Sequence, residues 1–229
     1  MNAEDYRIFP LGTDALTIDF GNEISLELNE KAVNLAEYFE AHPFEGLREI
    51  VPAYASVTLF YDVLTVRKNF AEFRTAFEAV GSLTENALQN LLDTKLSNPR
   101  LIEIPVDFSD GHALDITFVA AHNNLTKAQV IEIFTEATYR VFMLGFMPAF
   151  AYMGEVSEQI AAPRKVTPRL LVPKGSVGIA GRQTGIYPFD SPGGWQIIGK
   201  TYFELFTPQA ENPCALRAGD LVKFYSANE

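Results

Sequence analysis

Five basic residues fall between positions 164 and 182: Arg164, Lys165, Arg169, Lys174 and Arg182. Pro163, Pro168 and Pro173 are interleaved with them. Proline fixes φ and biases the residue before it towards extended backbone, so the stretch reads as stiff and extended. A stiff chain can hold guanidinium forks ready for bidentate capture of a carboxylate or phosphate. The competing reading is a solvated basic face, the usual fate of scattered charges. Just downstream lie Gln183, Thr184, Tyr187 and Ser191, then Trp195, the only tryptophan of the chain. An aromatic wall with a few directed polar groups is the make-up of a small-molecule pocket. A lone tryptophan serves equally often as a core anchor.

Other patterns in the same region carry less. Gly194-Trp-Gln-Ile-Ile-Gly199-Lys200-Thr201 fits the P-loop expression. A P-loop needs a strand before it and a helix after it, so that backbone N–H groups and a helix N-terminus face the phosphates. Here a Ser-Pro-Gly-Gly turn precedes and strand-like Tyr-Phe-Glu-Leu-Phe follows. The expectation is therefore a turn entering a strand. Gly175, Gly178 and Gly181 recur at every third position without the βαβ setting of a dinucleotide fingerprint. They suit tight bends in a barrel or a backbone that approaches a ligand. His42, His112 and His122 have no metal-ligand spacing, so no metal site is predicted. Gly-Ser-Val-Gly at 175–178 is not a nucleophile elbow, and Cys214 has no histidine nearby in sequence. The local chemistry thus points to binding and electrostatic stabilisation, not covalent catalysis.

The elements that must position these residues read as two halves. Ala15–Phe20 and Ser56–Tyr61 alternate apolar and polar as half-buried strands do. Asn29 is the expected cap of a helix running to about His42, where Pro43 stops it. Apolar spacing predicts helices over Phe70–Val80 and Thr84–Leu96, a strand over Ile102–Phe108, and a helix opened by the capping box Thr126–Gln129. Tyr139–Leu144 reads as a strand. Beyond it helical periodicity fades, and short apolar runs at Leu170–Val172, Ser176–Ala180, Gln196–Phe206 and Leu221–Tyr225 are separated by Pro and Gly. That is the signature of a barrel or sandwich, with a boundary near residues 90–100.

Composition sets the outer limits. The chain has 229 residues, 48% hydrophobic, with a net charge of −11. A basic nucleic-acid footprint and a polybasic membrane patch are both missing, so neither nucleic acid nor membrane is an expected partner. No apolar run is long enough for a membrane span, and the acidic N-terminus lacks the apolar core of a secretory signal. Cys214 is the only cysteine, which fits a cytoplasmic, reducing setting. The charge is uneven: residues 1–50 hold eleven acids and three bases, residues 163–229 five acids and eight bases. The basic half suits a small anionic ligand.

The segments TYRVFMLGFMPAFAYMG, PRKVTPRLLVPKGSVGIAGRQTGIYPFDSPGGWQIIGKT and GLREIVPAYASVTLFYD resemble the allophanate hydrolase subunit 1 family. That family includes the kinase inhibitor KipI and the B-type subunit of bacterial 5-oxoprolinase. The match is densest from 139 to 201. The resemblance implies an α+β, ferredoxin-like N-terminal domain over 1–95 and a cyclophilin-like β-barrel over 96–229. It implies a heteromeric partner, either a subunit 2-like protein or a C-type subunit, and ATP, with Mg, at this chain or at that partner. The implied activity is ATP-dependent opening of a lactam, 5-oxoproline to glutamate, so the substrate is a small anionic amide. The alternative is a non-catalytic, KipI-like regulator of a sensor histidine kinase. Under the first reading Arg164, Arg169 and Tyr187 are the catalytic candidates. Phe146, Phe150, Ser176, Gln183, Thr184, Ser191 and Trp195 are the substrate-binding candidates. The chain departs from the family at Phe134, where a histidine is usual, and at Ala149, where glycine is usual.

Overall fold

The computed structural model describes residues 6–91 and 99–227. The chain divides into two compact units, Met1–Asn98 and Pro99–Glu229.

The first unit is a four-stranded antiparallel sheet backed by helices. Its strands are β1 (Arg7–Pro10), β2 (Ala15–Asp19), β3 (Leu47–Pro52) and β4 (Ser56–Tyr61), in the order β1-β2-β4-β3. The alternation in β4 decides its faces. Val57, Leu59 and Tyr61 are buried, while Ser56, Thr58 and Phe60 face the other way. The buried set joins Leu16 and Ile18 of β2 in one core with helices α1 (Leu26–Ala41) and α3 (Ala76–Leu91). A short helix, α2 (Val63–Asn69), starts at Asp62, whose side chain accepts the Thr65 N–H.

Two expectations are corrected here. Helix α1 is capped by Ser25, not Asn29: the Ser25 hydroxyl accepts the Leu28 N–H at 3.5 Å. Asn29 lies inside the helix, fully buried, and donates its amide to the carbonyls of Ala53 and Tyr54 at 3.2 Å each. Both residue types are good caps, and tertiary contacts chose between them. The two helices expected over 70–80 and 84–96 are one, beginning only at Ala76. Gly81 and Ser82 suggest a break, but an isolated glycine is tolerated within a helix, and α3 runs through both without interruption. The end of the second expected helix, residues 92–96, lies outside the described residues.

The second unit is a seven-stranded sheet. Strands β5 (Leu101–Val106), β6 (Thr138–Leu144), β7 (Ala151–Gly154), β9 (Ser176–Ala180), β10 (Gln183–Ile186), β12 (Gln196–Lys200) and β13 (Leu221–Ser226) order as β12-β9-β10-β7-β6-β13-β5. Asp107, just past β5, exchanges backbone hydrogen bonds of 2.7 and 3.0 Å with Lys200 at the end of β12. This bridge joins the two edge strands and makes the sheet a nearly closed barrel. Its interior is filled by Val106, Val141, Val177, Ile179, Ile198 and Phe224. Helices α4 (Ile116–His122) and α5 (Lys127–Glu136) pack on β12 and β13. The Thr126–Gln129 capping box is formed in both directions. A separate ribbon pairs β8 (Arg169–Val172) with β11 (Ser191–Gly193). The strand expected over Gln196–Phe206 stops at Lys200, because the Thr201 N–H turns away to the Gly175 carbonyl at 2.8 Å. Helix α4 has no counterpart in the sequence reading. Among the described residues no helix is long and apolar enough to cross a membrane.

Candidate functional site

Phe150 is the hub of an aromatic cluster on the barrel unit. Its ring meets Tyr152 at 4.9 Å, Tyr187 at 5.3 Å, and Phe146 and Trp195 at 5.5 Å, each edge-to-face. That is the geometry that the ring quadrupoles favour. Two glycines let the cluster form. A Cβ on Gly185 of β10 would lie 3.0 Å from the Phe150 ring, and one on Gly193 of β11 would lie 2.4 Å from the Tyr187 hydroxyl oxygen.

The turn from Gly145 to Phe150 presents two of these rings differently. Phe146 and Ala149 both adopt left-handed backbone, with φ of 69° and 61°. The turn leaves Phe146 62% exposed and buries Phe150. Left-handed backbone costs a non-glycine residue roughly 1–2 kcal/mol. Strain of this kind persists where surrounding structure enforces it, and it clusters at functional sites. Ala149 thus occupies a conformation that suits glycine, the residue that the resemblance leads one to expect there.

These aromatic residues line a cavity of about 270 Å³ together with Arg164, Lys165 and the backbone of Gly193 and Gly194. The charges around it are unequal in their freedom. Lys165 and Arg169 both close on Asp115, Lys174 pairs with Glu204 at 2.8 Å, and Arg182 pairs with Glu155 at 2.9 Å. Among the described residues Arg164 has no carboxylate partner. Its guanidinium lies 5.9 Å from the centroid of the Trp195 ring instead. A guanidinium over an indole face is held by cation–π attraction and keeps its donors available.

Asp115 is the buried anion of this region, 6% exposed. It receives both terminal nitrogens of Arg169 at 2.7 and 2.8 Å, Lys165 Nζ at 3.1 Å, and the Ile197 N–H at 2.8 Å. Burial pushes its carboxyl upward, but the hydrogen bonds from Arg169, Ile197 and Lys165 outweigh that and hold it below the usual aspartate range. Tyr187 is shifted upward: burial dominates, and its hydrogen bond from the Trp195 backbone and the nearby Arg164 charge only partly oppose it. Its phenol therefore stays protonated at neutral pH and can donate a hydrogen bond.

The structure brings Phe146, Phe150, Arg164, Tyr187 and Trp195 together around the cavity. It places the other candidates elsewhere. Arg169 does not line the cavity, because its fork is spent on Asp115. Ser176 is buried in β9, where its carbonyl accepts the Tyr187 N–H at 2.9 Å. Thr184 is fully buried and ties β10 to β9 through a 2.9 Å bond to the Gly178 carbonyl. Gln183 sits at the start of β10, opposite Ala180 in the hairpin. The Ser191 hydroxyl donates to the Pro192 carbonyl at 3.3 Å. Lys200 ends a strand with no helix after it, so the P-loop match is coincidental. Phe134, on α5, packs against Tyr139 and Phe224 in the core of the barrel unit and does not line the cavity. Sequence reasoning missed Lys165 as a lining residue, and also Tyr152 and Asp115. Tyr152 had a signal, since it follows Phe150 at the strand period of two. Asp115 had none, being 54 residues from Arg169. Among the described residues no three His, Cys, Asp or Glu side chains gather as a metal site.

Comparison with known proteins agrees over almost the whole chain. Residues 6–216 match the family described as carboxyltransferase domain, subdomain C and D. The chain is 45% identical over 225 residues to the B-type subunit of 5-oxoprolinase from Bacillus subtilis (strain 168), covering 98% of this chain and 94% of that protein. It is 35% identical over 220 residues to the B-type subunit of 5-oxoprolinase from Haemophilus influenzae, covering 95% and 96%. In fold it is similar to the crystal structure of TTHA0988, with a TM-score of 0.79 and 34% identity over 93% of this chain. This chain spans 40% of the length of that one. On the match from 6 to 216, the chain belongs to the carboxyltransferase domain family, subdomain C and D.

Proposed function

We propose that this chain works as a B-type subunit of a 5-oxoprolinase, with a subunit 2-like or C-type partner, in the ATP-dependent opening of 5-oxoproline to glutamate. Near full-length similarity to two proteins named as B-type subunits of 5-oxoprolinase supports the reading. The observation that carries it in the structure is Arg164, a cation without a carboxylate partner among the described residues, poised over Trp195 at an aromatic cavity.

The chemistry of 5-oxoproline suits that pocket. Its carboxylate matches the guanidinium fork of Arg164, and its five-membered ring can lie against Trp195 and Phe150. Tyr187, held neutral by burial, offers a hydrogen-bond donor to the lactam. In the net reaction water adds across the amide C–N bond: oxygen goes to the carbonyl carbon and a proton to the departing nitrogen. ATP would activate the amide by phosphorylating the lactam oxygen, with release of ADP. One water then adds to the activated carbon and expels the protonated ring nitrogen, and a second water releases the phosphoryl group as inorganic phosphate. The pocket residues do not fit a magnesium–nucleotide complex. At about 270 Å³ the cavity falls below the roughly 300–1,000 Å³ of sites for drug-sized ligands. No acidic side chain lines it among the described residues, and Asp115, which holds Lys165, is buried and saturated with hydrogen bonds. The cavity is therefore read as the site of the small substrate.

The same reading takes the barrel unit as cyclophilin-like. It takes the first unit as ferredoxin-like, with β1 standing where that fold's last strand would pair. The single Cys214, unpaired by any disulfide, fits a cytoplasmic setting.

The test is reconstitution. Purified chain and partner together should hydrolyse ATP in step with 5-oxoproline consumption, and neither should do so alone. 2-Pyrrolidinone, which lacks the carboxylate, should not support turnover. ATP hydrolysis indifferent to 5-oxoproline would sink the proposal, and inhibition of a sensor histidine kinase would favour the regulator instead.

A further inference from the structure

We infer that Asp115 is a positioning residue for this site: it holds the extended segment from Pro163 to Arg169 so that Arg164 stays over Trp195. The inference rests on the reading of Arg164 as the ligand of the substrate carboxylate.

The attachment begins at β12. The Asp115 N–H donates to the Ile197 carbonyl at 2.7 Å, and the Ile197 N–H donates to Asp115 Oδ2 at 2.8 Å. The carboxylate is thereby fixed to the strand that begins just after Trp195. From there it grips the basic segment at two places. Lys165, the residue after Arg164, reaches Oδ1 at 3.1 Å, and Arg169 spans both oxygens at 2.7 and 2.8 Å. The near side of the segment is tied to the same stretch of chain. The Lys165 N–H donates to the Gly194 carbonyl at 2.7 Å, and Gln196 Nε2 donates to the Pro163 carbonyl at 2.8 Å. Both neighbours of Arg164 and the far end of its segment are thus referred to positions 194–197. Trp195 belongs to that stretch, so the spacing between guanidinium and indole is set by these ties.

The arrangement also fixes the charge. Two cations, Lys165 and Arg169, share one carboxylate, leaving a surplus of one positive charge beside Arg164. That surplus favours entry of an anion. By occupying the whole fork of Arg169, Asp115 leaves one guanidinium at the cavity instead of two. One fork suits a ligand with one carboxylate, as 5-oxoproline has, better than the dicarboxylate glutamate. Asp115 itself does not line the cavity, so its action is through Arg164.

The experiment uses the complex with its partner and two variants, Asp115→Asn and Arg169→Lys. Asp115→Asn should raise KM for 5-oxoproline about tenfold while kcat changes less than about twofold, the pattern of lost ground-state and transition-state binding together. Because Trp195 is the only tryptophan of this chain, its fluorescence, read on the chain without its partner, reports the pocket without any turnover. Its emission should move to longer wavelength in Asp115→Asn, as the guanidinium leaves the indole and water replaces it. Arg169→Lys keeps the charge and one hydrogen bond, so it should fold even if the other variant does not, and shift both readings less in the same direction. An unchanged or lowered KM together with unchanged Trp195 emission in the folded variants would overturn the inference. Failure of the substrate reading is a separate result: Arg164→Ala would then leave KM unchanged, while Trp195 emission would still show whether Asp115 holds Arg164.

Discussion

Arg164 and Trp195 form the contact on which the site turns: the guanidinium stands 5.9 Å from the indole centroid, while its neighbour Lys165 is bound to Asp115. Consecutive basic residues thus have different fates. One is neutralised to hold the backbone, and the other is kept available at a cavity walled by Phe150 and Tyr187. A basic cluster that looks uniform in sequence is mostly scaffolding around a single usable cation.

Gly193 controls how closely the ribbon approaches Tyr187. A methyl group there would lie 2.4 Å from the phenolic oxygen and 2.8 Å from two ring carbons. Gly193→Ala should push the ring aside and cost about 1–3 kcal/mol, the usual range for overpacking. Thermal melting should show the loss, and Trp195 fluorescence should change with it. An unaltered melting temperature would mean that the ribbon yields freely.

Asp115 should make stability depend on acid pH. Its folded pKa lies below the unfolded value of about 3.9. A depressed carboxyl contributes fully above the unfolded pKa, and the contribution disappears as pH falls through the folded pKa. Asp115→Asn should therefore cost about 3 kcal/mol at neutral pH, as breaking a buried ion pair does. The wild-type and variant melting temperatures should converge below about pH 4. A gap that stays constant down to about pH 2 would contradict this assignment of the charge.

Lys200 tests the coincidental motif. Its backbone N–H and carbonyl are both bonded to Asp107, and its ammonium lies 5.2 Å from the Tyr202 ring centroid. Lys200→Ala should leave KM for ATP within about twofold in the reconstituted complex, since the motif lacks its P-loop setting. A large rise would restore a phosphate role to it.

Phe134 should resist replacement by histidine, the residue that the sequence resemblance leads one to expect there. Its ring packs 5.0 Å from Phe224 and 5.1 Å from Tyr139, and the Tyr139 hydroxyl already donates to the Phe134 carbonyl at 2.8 Å. Phe134→His should cost about 2 kcal/mol of stability, because an imidazole there is desolvated in an aromatic core. Its melting temperature should fall further as pH drops and the unfolded imidazole takes a proton. A rise in kcat with unchanged stability would mean that the position faces the chemistry after all.

What the sequence revealed follows the range of the interactions. The Thr126–Gln129 capping box and the alternation of β4 are set by residues a few positions apart, and both are legible. The rings at Phe146, Phe150, Tyr187 and Trp195 are legible as a cluster because Pro and Gly punctuate the strands around them. Ser25 and Asn29 are both sound caps, and only the contact with Ala53 and Tyr54, between β3 and β4, separates them. Arg169 looks like a site residue for the same reason: its partner lies far away in sequence, at the start of a helix that no local pattern announces. Long-range pairing decides which cation is free, and no local window contains that information.

The most direct measurement is the KM for 5-oxoproline of the complex carrying Arg164→Ala. Loss of the carboxylate's charge-assisted hydrogen bonds should raise KM at least about tenfold, roughly 1.4 kcal/mol or more. Arg164→Lys should recover part of that loss, because a lysine keeps the charge without the fork. A KM within error of the wild-type value in both variants would contradict the central claim that Arg164 binds the substrate.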